Sequence, residues 1–268
     1  MGAKLKKYFK KIMKIFSKIE MRVLPGNIAF FAVLALVPVL TMVIYIASYF
    51  SISIDSLIDT LEGVLPYKVS EVIVGFISGR GFDGGLGTFS VITFIIASNG
   101  TYAIINASNA LYKVEDTDPI KDRIKSVVLL VILITLIIFL LLVPMFGGKI
   151  ISFFGDNAIV DNILLVYRLL RWPVTFLIIY FNLKLIYTIS PNTTIMSKDT
   201  TYGSLFTTAI WTIATAIFSY YLHYFARYDI IYGNLSSIII LMIWIYLLAY
   251  VFVMGMVINT VNFNKNKN

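Results

Sequence analysis

The 268-residue chain contains no cysteine, a single histidine, and only 13% charged residues. Without cysteine there are no disulfides, thiolate nucleophiles, zinc knuckles or iron–sulfur clusters. One imidazole, His223, excludes histidine pairs, zinc triads and haem ligation, so a metal site would have to be built from carboxylates. No metal and no cofactor are expected. The shortage of charge excludes a water-facing enzyme, because a soluble fold of this size keeps roughly 25% charged residues to cover its surface.

What is present is apolar: 59% of residues are hydrophobic and the mean hydropathy is +0.88. A spanning helix needs about 20 predominantly apolar residues. Six such stretches occur, at residues 28–50, 86–111, 124–146, 164–183, 202–222 and 235–261. The first span exceeds the 7–15 residue apolar region of a signal peptide and no small-residue cleavage site follows it, so it is expected to stay as an anchor. The expected fold is all-α: a polytopic membrane protein with six transmembrane helices.

Charge sets the expected orientation. Sixteen of the 22 Lys and Arg residues fall on the side that holds both termini, and six on the other. By the positive-inside rule this predicts that both termini are cytoplasmic. Residues 1–24 form a basic juxtamembrane segment, 25–262 the six-helix domain and 263–268 a polar tail. In residues 4–19, Leu5, Tyr8, Phe9, Ile12, Ile15, Phe16 and Ile19 repeat at helical spacing with lysines opposite. That pattern predicts an amphipathic helix on the inner leaflet, with Lys10 and Lys14 near anionic headgroups. The alternative is a purely topogenic anchor. The long connection at 51–85 carries two further apolar repeats, Ile54 to Leu61 and Val69 to Phe76, separated by Gly63 and Pro66. It predicts an external helical cap.

Polar residues within the spans are the candidate site, since hydrocarbon cannot satisfy them. In the fifth span Ser204, Thr208, Thr212, Thr215, Ser219 and His223 continue a stripe from Thr201, and in the second Asn99, Tyr102, Asn106 and Asn109 form another. Facing each other they would line a polar path; otherwise they are interhelical glue. Arg168 and Arg171, beside Trp172 and Pro173, suit phosphate headgroups or serve as an interfacial anchor. The G-x-G-x-x-G at Gly79, Gly81 and Gly84 lacks the strand–helix context of a dinucleotide site and reads as a turn. Asn192-Thr193-Thr194 lies on the cytoplasmic side of this topology, where glycosylation does not occur.

The last span carries Tyr232-Gly233-Asn234-Leu235, Trp244-Ile245-Tyr246, Gly255 and Asn259. With Pro38 after Ala29-Phe30-Phe31, Asn109-Ala110-Leu111-Tyr112, and Tyr202-Gly203-Ser204, this pattern resembles the YihY/BrkB family of bacterial inner-membrane proteins. The resemblance covers about residues 25–260 and implies six membrane helices. Many members carry an acid where Val257 stands here. The family was long labelled ribonuclease BN or virulence factor. Hydrolysing RNA needs acid–base groups or a metal cluster. The one acid cluster on that side, Glu115, Asp116, Asp118 and Asp122, is interleaved with Lys113, Lys121 and Arg123 and reads as a solvated connector. No enzyme activity and no nucleic-acid partner are therefore expected. The leading functional reading is a translocator of a lipid-related or amphipathic substrate; the alternative is a non-transporting scaffold for envelope partners. The bilayer is the expected partner, and homo-oligomerisation remains open.

Overall fold

The computed structural model describes residues 10–12, 14–15, 19–49, 55, 58–59, 61, 65–78, 86–115, 118–152, 158–224, 228 and 232–267. Among them there is no strand. The helices are α1 (Ile19–Tyr49), α2 (Tyr67–Ser78), α3 (Leu86–Tyr112), α4 (Pro119–Ser152), α5 (Ala158–Ile189), α6 (Thr201–Tyr224) and α7 (Ser236–Lys267), the last preceded by a short 3₁₀ turn, Gly233–Leu235. Each of the six predicted spans falls, to within a residue, inside one long helix: α1 and α3 to α7. Among the described residues, 119–140, 172–189, 201–224 and 236–264 are long and apolar enough to cross a bilayer, and Val23–Leu36 adds a shorter apolar stretch. The fold is that of a polytopic helical membrane protein.

α4, α5 and α6 overrun their spans at both ends because backbone hydrogen bonding continues past the apolar stretch into polar flanks. α1 begins at Ile19 and runs unbroken through Pro25 and Pro38, across the expected boundary at residue 24. Lys10, Lys11 and Lys14 are exposed, while Ile12 and Ile15 pack against the bundle core. The apolar side of this short stretch thus meets protein. The rest of the predicted surface helix lies outside the described residues.

Leaving α2 aside, every long helix packs on the next in chain order, and α7 returns to α1. The result is a closed ring of six. The α1–α3 seam is built from small side chains, with Ala97, Ala103 and Ala107 buried and Gly100 set against Ala35 and the Phe31 carbonyl. Small residues let two backbones approach, which is the main source of helix association where lipid is as apolar as leucine. Of the cap, α2 starts after Pro66, whose carbonyl accepts from the amides of Val69 and Ser70. Its apolar face, Val69 and Ile73, is buried, and it packs on α7 and α1. The first predicted cap helix falls largely outside the described residues.

The α3–α4 reversal is defined atom by atom. The Val114 amide donates to Asn109 O at 3.0 Å and the Lys113 amide to Ala110 O at 3.3 Å. With Lys113 at φ 56°, this is a Schellman ending carried by a residue other than glycine. α4 then opens with Asp118 as its cap, accepting from the amides of Ile120 at 3.0 Å and Lys121 at 3.4 Å, and with Pro119 in the first helical position. The Lys121 amide and its ammonium, 3.3 Å away, hold the Asp118 carboxyl below its ordinary value. Because the folded value is lowered, the stabilisation is present above the ordinary carboxylate range and is lost as pH falls through the lowered value. Asp118→Ala is expected to speed amide exchange at Ile120 and Lys121 at neutral pH, with the difference from the parent chain vanishing in strong acid; equal exchange at neutral pH would remove the cap from the account.

Candidate functional site

One end of the ring gathers the ends of α3, α5 and α7 and the starts of α4 and α6; it is here called the termini end. Asn192, in the loop between α5 and α6, is its hub. Its amide N–H donates to Asn109 Oδ1 at 2.8 Å, its Nδ2 to Asp122 Oδ1, and its Oδ1 accepts from Lys125 Nζ, which also donates to Pro191 O at 3.1 Å. Ser190 Oγ adds a bond to Ser108 Oγ at 3.1 Å. Asp122 is only 2% exposed, which corrects its reading as part of a solvated connector. A buried carboxylate needs a donor or a cation close by, and Asn192 and Lys125 supply both. Asp118 caps α4, Glu115 is exposed and Asp116 lies outside the described residues, so the described carboxylates of this cluster do not converge. Among the described residues, no group of three or more His, Asp and Glu is placed to hold a metal ion.

Next to this network, α6 and α7 cross at Gly203 and Gly255. A Cβ on Gly203 would collide with Gly255 O and the Asn259 side chain, and one on Gly255 with Thr207 Oγ1 and Tyr187 OH. Asn259, fully buried, accepts from the Gly203 amide at 2.8 Å. A backbone amide only donates, so this bond fixes the side chain with Oδ1 towards α6 and Nδ2 into the core. Tyr187 of α5 joins the same junction: its hydroxyl meets Thr207 Oγ1 and Phe252 O, each at 2.8 Å, and its ring stacks on Phe252. Trp211 continues the stack and donates from Nε1 to Leu248 O at 2.9 Å. Val257 is buried in the apolar core. Of the other signature residues, Pro38 is half-buried in α1, Trp244 is half-buried, and Tyr232 and Tyr246 are exposed. Gly233 has φ +52°, the left-handed turn that leads into α7.

The two predicted stripes are not brought face to face. α6 takes its packing from α5 and α7, whereas α3 packs on α1, α4 and α7. Asn99 of the α3 stripe accepts from Arg123 Nη1 at 2.8 Å, Asn109 is engaged by Asn192, Tyr102 is half-buried and Asn106 is exposed. The α6 stripe changes character along its length. Ser204 and Thr208 are fully buried and bond their own helix, to Thr200 O and Ser204 O. Such back-bonding satisfies a hydroxyl without water or a partner helix. Thr212 is exposed, although it too bonds back to Thr208 O; Thr215 and Ser219 are half-exposed, and His223 is exposed. The buried line of α6 meanwhile runs through Gly203, Thr207, Phe218 and Leu222, about one residue round from the stripe. The buried arc is therefore wide near the Gly203 crossing and narrow at the far end, where the stripe emerges.

It emerges into a groove of about 770 Å³, lined by Tyr67 at the start of α2 and by Ala216, Ser219, Tyr220 and His223 of α6. Tyr224 packs on both neighbours, 4.6 Å from Tyr220 and 4.8 Å from His223 between ring centroids. Lys68 Nζ lies over the Tyr67 ring at 5.1 Å and 3.7 Å from Glu71, which accepts from Ser237 at the start of α7. Sequence reasoning named Ser219 and His223 but not their helix neighbour Tyr220, nor Tyr67, which the tertiary fold brings to them. Arg168 and Arg171 fall within α5, with their side chains outside the described residues.

A closed ring of long apolar helices, capped at one end and tied by polar bonds at the other, defines a multi-pass membrane protein. The family described as Virulence factor BrkB matches residues 12–268, and the chain belongs to that family. It is 30% identical, over 90% of both chains, to the putative ribonuclease-like protein YfkH of Bacillus subtilis (strain 168). It is 23% identical, again over 90% of both chains, to the UPF0761 membrane protein NTHI0384 of Haemophilus influenzae (strain 86-028NP). A third relative, the UPF0761 membrane protein RSc1559 of Ralstonia nicotianae, is 26% identical over 86% of this chain and 53% of its own length. No solved structure matches.

Proposed function

We propose that this protein is a non-enzymatic translocator of an amphipathic, lipid-related substrate in the bacterial cytoplasmic membrane, with both termini in the cytoplasm. The observation that carries this reading is the far half of α6, where a line of hydroxyls and His223 leaves the core and opens sideways into the groove. Exposed Ile213 and Ile217 lie along the same helix. Polar groups on a bilayer-facing helix are costly unless something polar reaches them, and an amphiphile lying along α6 offers a head to the groove and a chain to the isoleucines. Lys10 and Lys14 are exposed beside the first helix and suit anionic lipid of the inner leaflet. Ribonuclease chemistry is not part of this reading, because Asp118 serves as a cap, Asp122 as a buried latch, and exposed Glu115 does not converge with them.

The buried half of the stripe favours the scaffold alternative to the extent that Ser204 and Thr208 act only in packing. Transport separates the two readings. In liposomes carrying a headgroup-labelled lipid, the reconstituted protein is expected to expose inner-leaflet label to an external quencher faster than protein-free vesicles. Thr212→Leu with Ser219→Leu is expected to cut that rate by about tenfold, equivalent to about 1.4 kcal/mol in the barrier. A rate equal to that of empty vesicles would sink the translocator.

A further inference from the structure

We infer that the far-end groove receives an uncharged, hydroxyl-rich headgroup, so that the amphiphile is a glycolipid and not a phospholipid. This deepens the translocator reading and rests on it. The described lining contains three hydroxyls, from Tyr67, Ser219 and Tyr220, one imidazole, from His223, and the small Ala216. It contains no Lys, Arg, Asp or Glu among the described residues. Phosphate recognition relies on Arg or Lys donors, which give charge-assisted bonds about twice as strong as neutral ones. The nearby described ammonium, Lys68, is held over the Tyr67 ring and paired with Glu71. Its charge is met on the spot.

What the lining does offer suits a sugar. Each hydroxyl both donates and accepts, so the site matches a ring of hydroxyls that also do both. The tyrosine faces are electron-rich and attract the weakly positive C–H edges of a pyranose, as they attract the edge of another aromatic ring. The groove, about 770 Å³, falls within the roughly 300–1,000 Å³ of small-molecule sites. Ile213, Ile217, Tyr220 and Tyr224 are all exposed and follow one another at four, three and four residues, one continuous face of α6. That face is aliphatic below the groove and phenolic beside it. An acyl chain along the isoleucines would deliver its head to the tyrosines.

The test is lipid retention by the full-length protein in mixed micelles, read by native mass spectrometry. The probes are a diglucosyl diacylglycerol and a phosphatidylglycerol with the same acyl chains. Retention of the glycolipid is expected to exceed that of the phospholipid by about tenfold, or about 1.4 kcal/mol. Tyr220→Leu and Ser219→Leu are each expected to reduce glycolipid retention towards the phospholipid level while thermal unfolding stays unchanged. Equal retention, preference for phosphatidylglycerol, or glycolipid retention indifferent to Tyr220→Leu would overturn the inference. Vesicle experiments separate it from the broader proposal. Translocation of both lipids at one rate would overturn headgroup selection alone. Selective glycolipid binding with no translocation of either lipid would overturn the translocator and leave the site standing.

Discussion

Gly203→Ala is expected to lower the stability of the folded protein by about 3 kcal/mol, the upper range for overpacking a tight interface. One methyl suffices because the nearest atoms include the Gly255 carbonyl oxygen, a backbone atom that cannot rotate away. Separating α6 from α7 to make room would also stretch the bond from the Gly203 amide to Asn259. A buried N–H left without its acceptor costs about 1–3 kcal/mol by itself. Gly255→Ala is a useful comparison, since its added methyl first meets the side-chain oxygens of Thr207 and Tyr187. Thr207→Ala should partly rescue Gly255→Ala and leave Gly203→Ala unrescued. Equilibrium unfolding in mild detergent measures both, and a Gly203→Ala variant as stable as the parent would mean that the helices do not meet so closely.

Asn192→Ala is expected to cost a similar amount, about 3 kcal/mol, by a different route. It deletes the side-chain partner of Asp122 and one acceptor of Lys125, leaving a buried carboxylate poorly compensated. Charges stranded in this way account for the 3–5 kcal/mol typically lost when one member of a buried pair is removed. The loop from Ser190 to Thr200 would then release from α3 and α4. Limited proteolysis in that loop should accelerate together with the loss of stability. Because one network is involved, Asp122→Ala with Asn192→Ala should cost less than the two single changes added together. Strict additivity would dissolve the latch into independent contacts.

Much of the architecture was readable from composition and spacing, since each predicted span lies, to within a residue, inside one helix and the break before α2 falls at Pro66. Hydrocarbon leaves few options for an apolar stretch of 20 residues, so length and polarity decide. The site was less readable. On a cylinder drawn from sequence, the stripe from Ser204 to His223 is uniform. Its burial depends on where α7 crosses α6, which no periodicity within α6 records. The latch was missed for a related reason: Asn109, Asp122, Lys125 and Asn192 belong to three segments, and Asn192 was considered only as part of a glycosylation pattern. A polar loop residue directly after proline and at the end of a long apolar run was the available signal. Gly203, Gly255 and Asn259 were noticed through the family pattern, but their reason is the helix crossing.

The ring order also constrains how the molecule is made. Of the long helices described, α1 is made first, yet one of its flanks is covered by α7, the last of them to leave the ribosome. Until then α6 presents its Gly203 face, with its close-packing partner still unsynthesised, to whatever surrounds it. Insertion in chain order can build an open arc of five long helices, but not the finished wall. Final closure waits for α7, so a chain stalled before that helix exposes two raw edges at once and is the species that membrane quality control would meet.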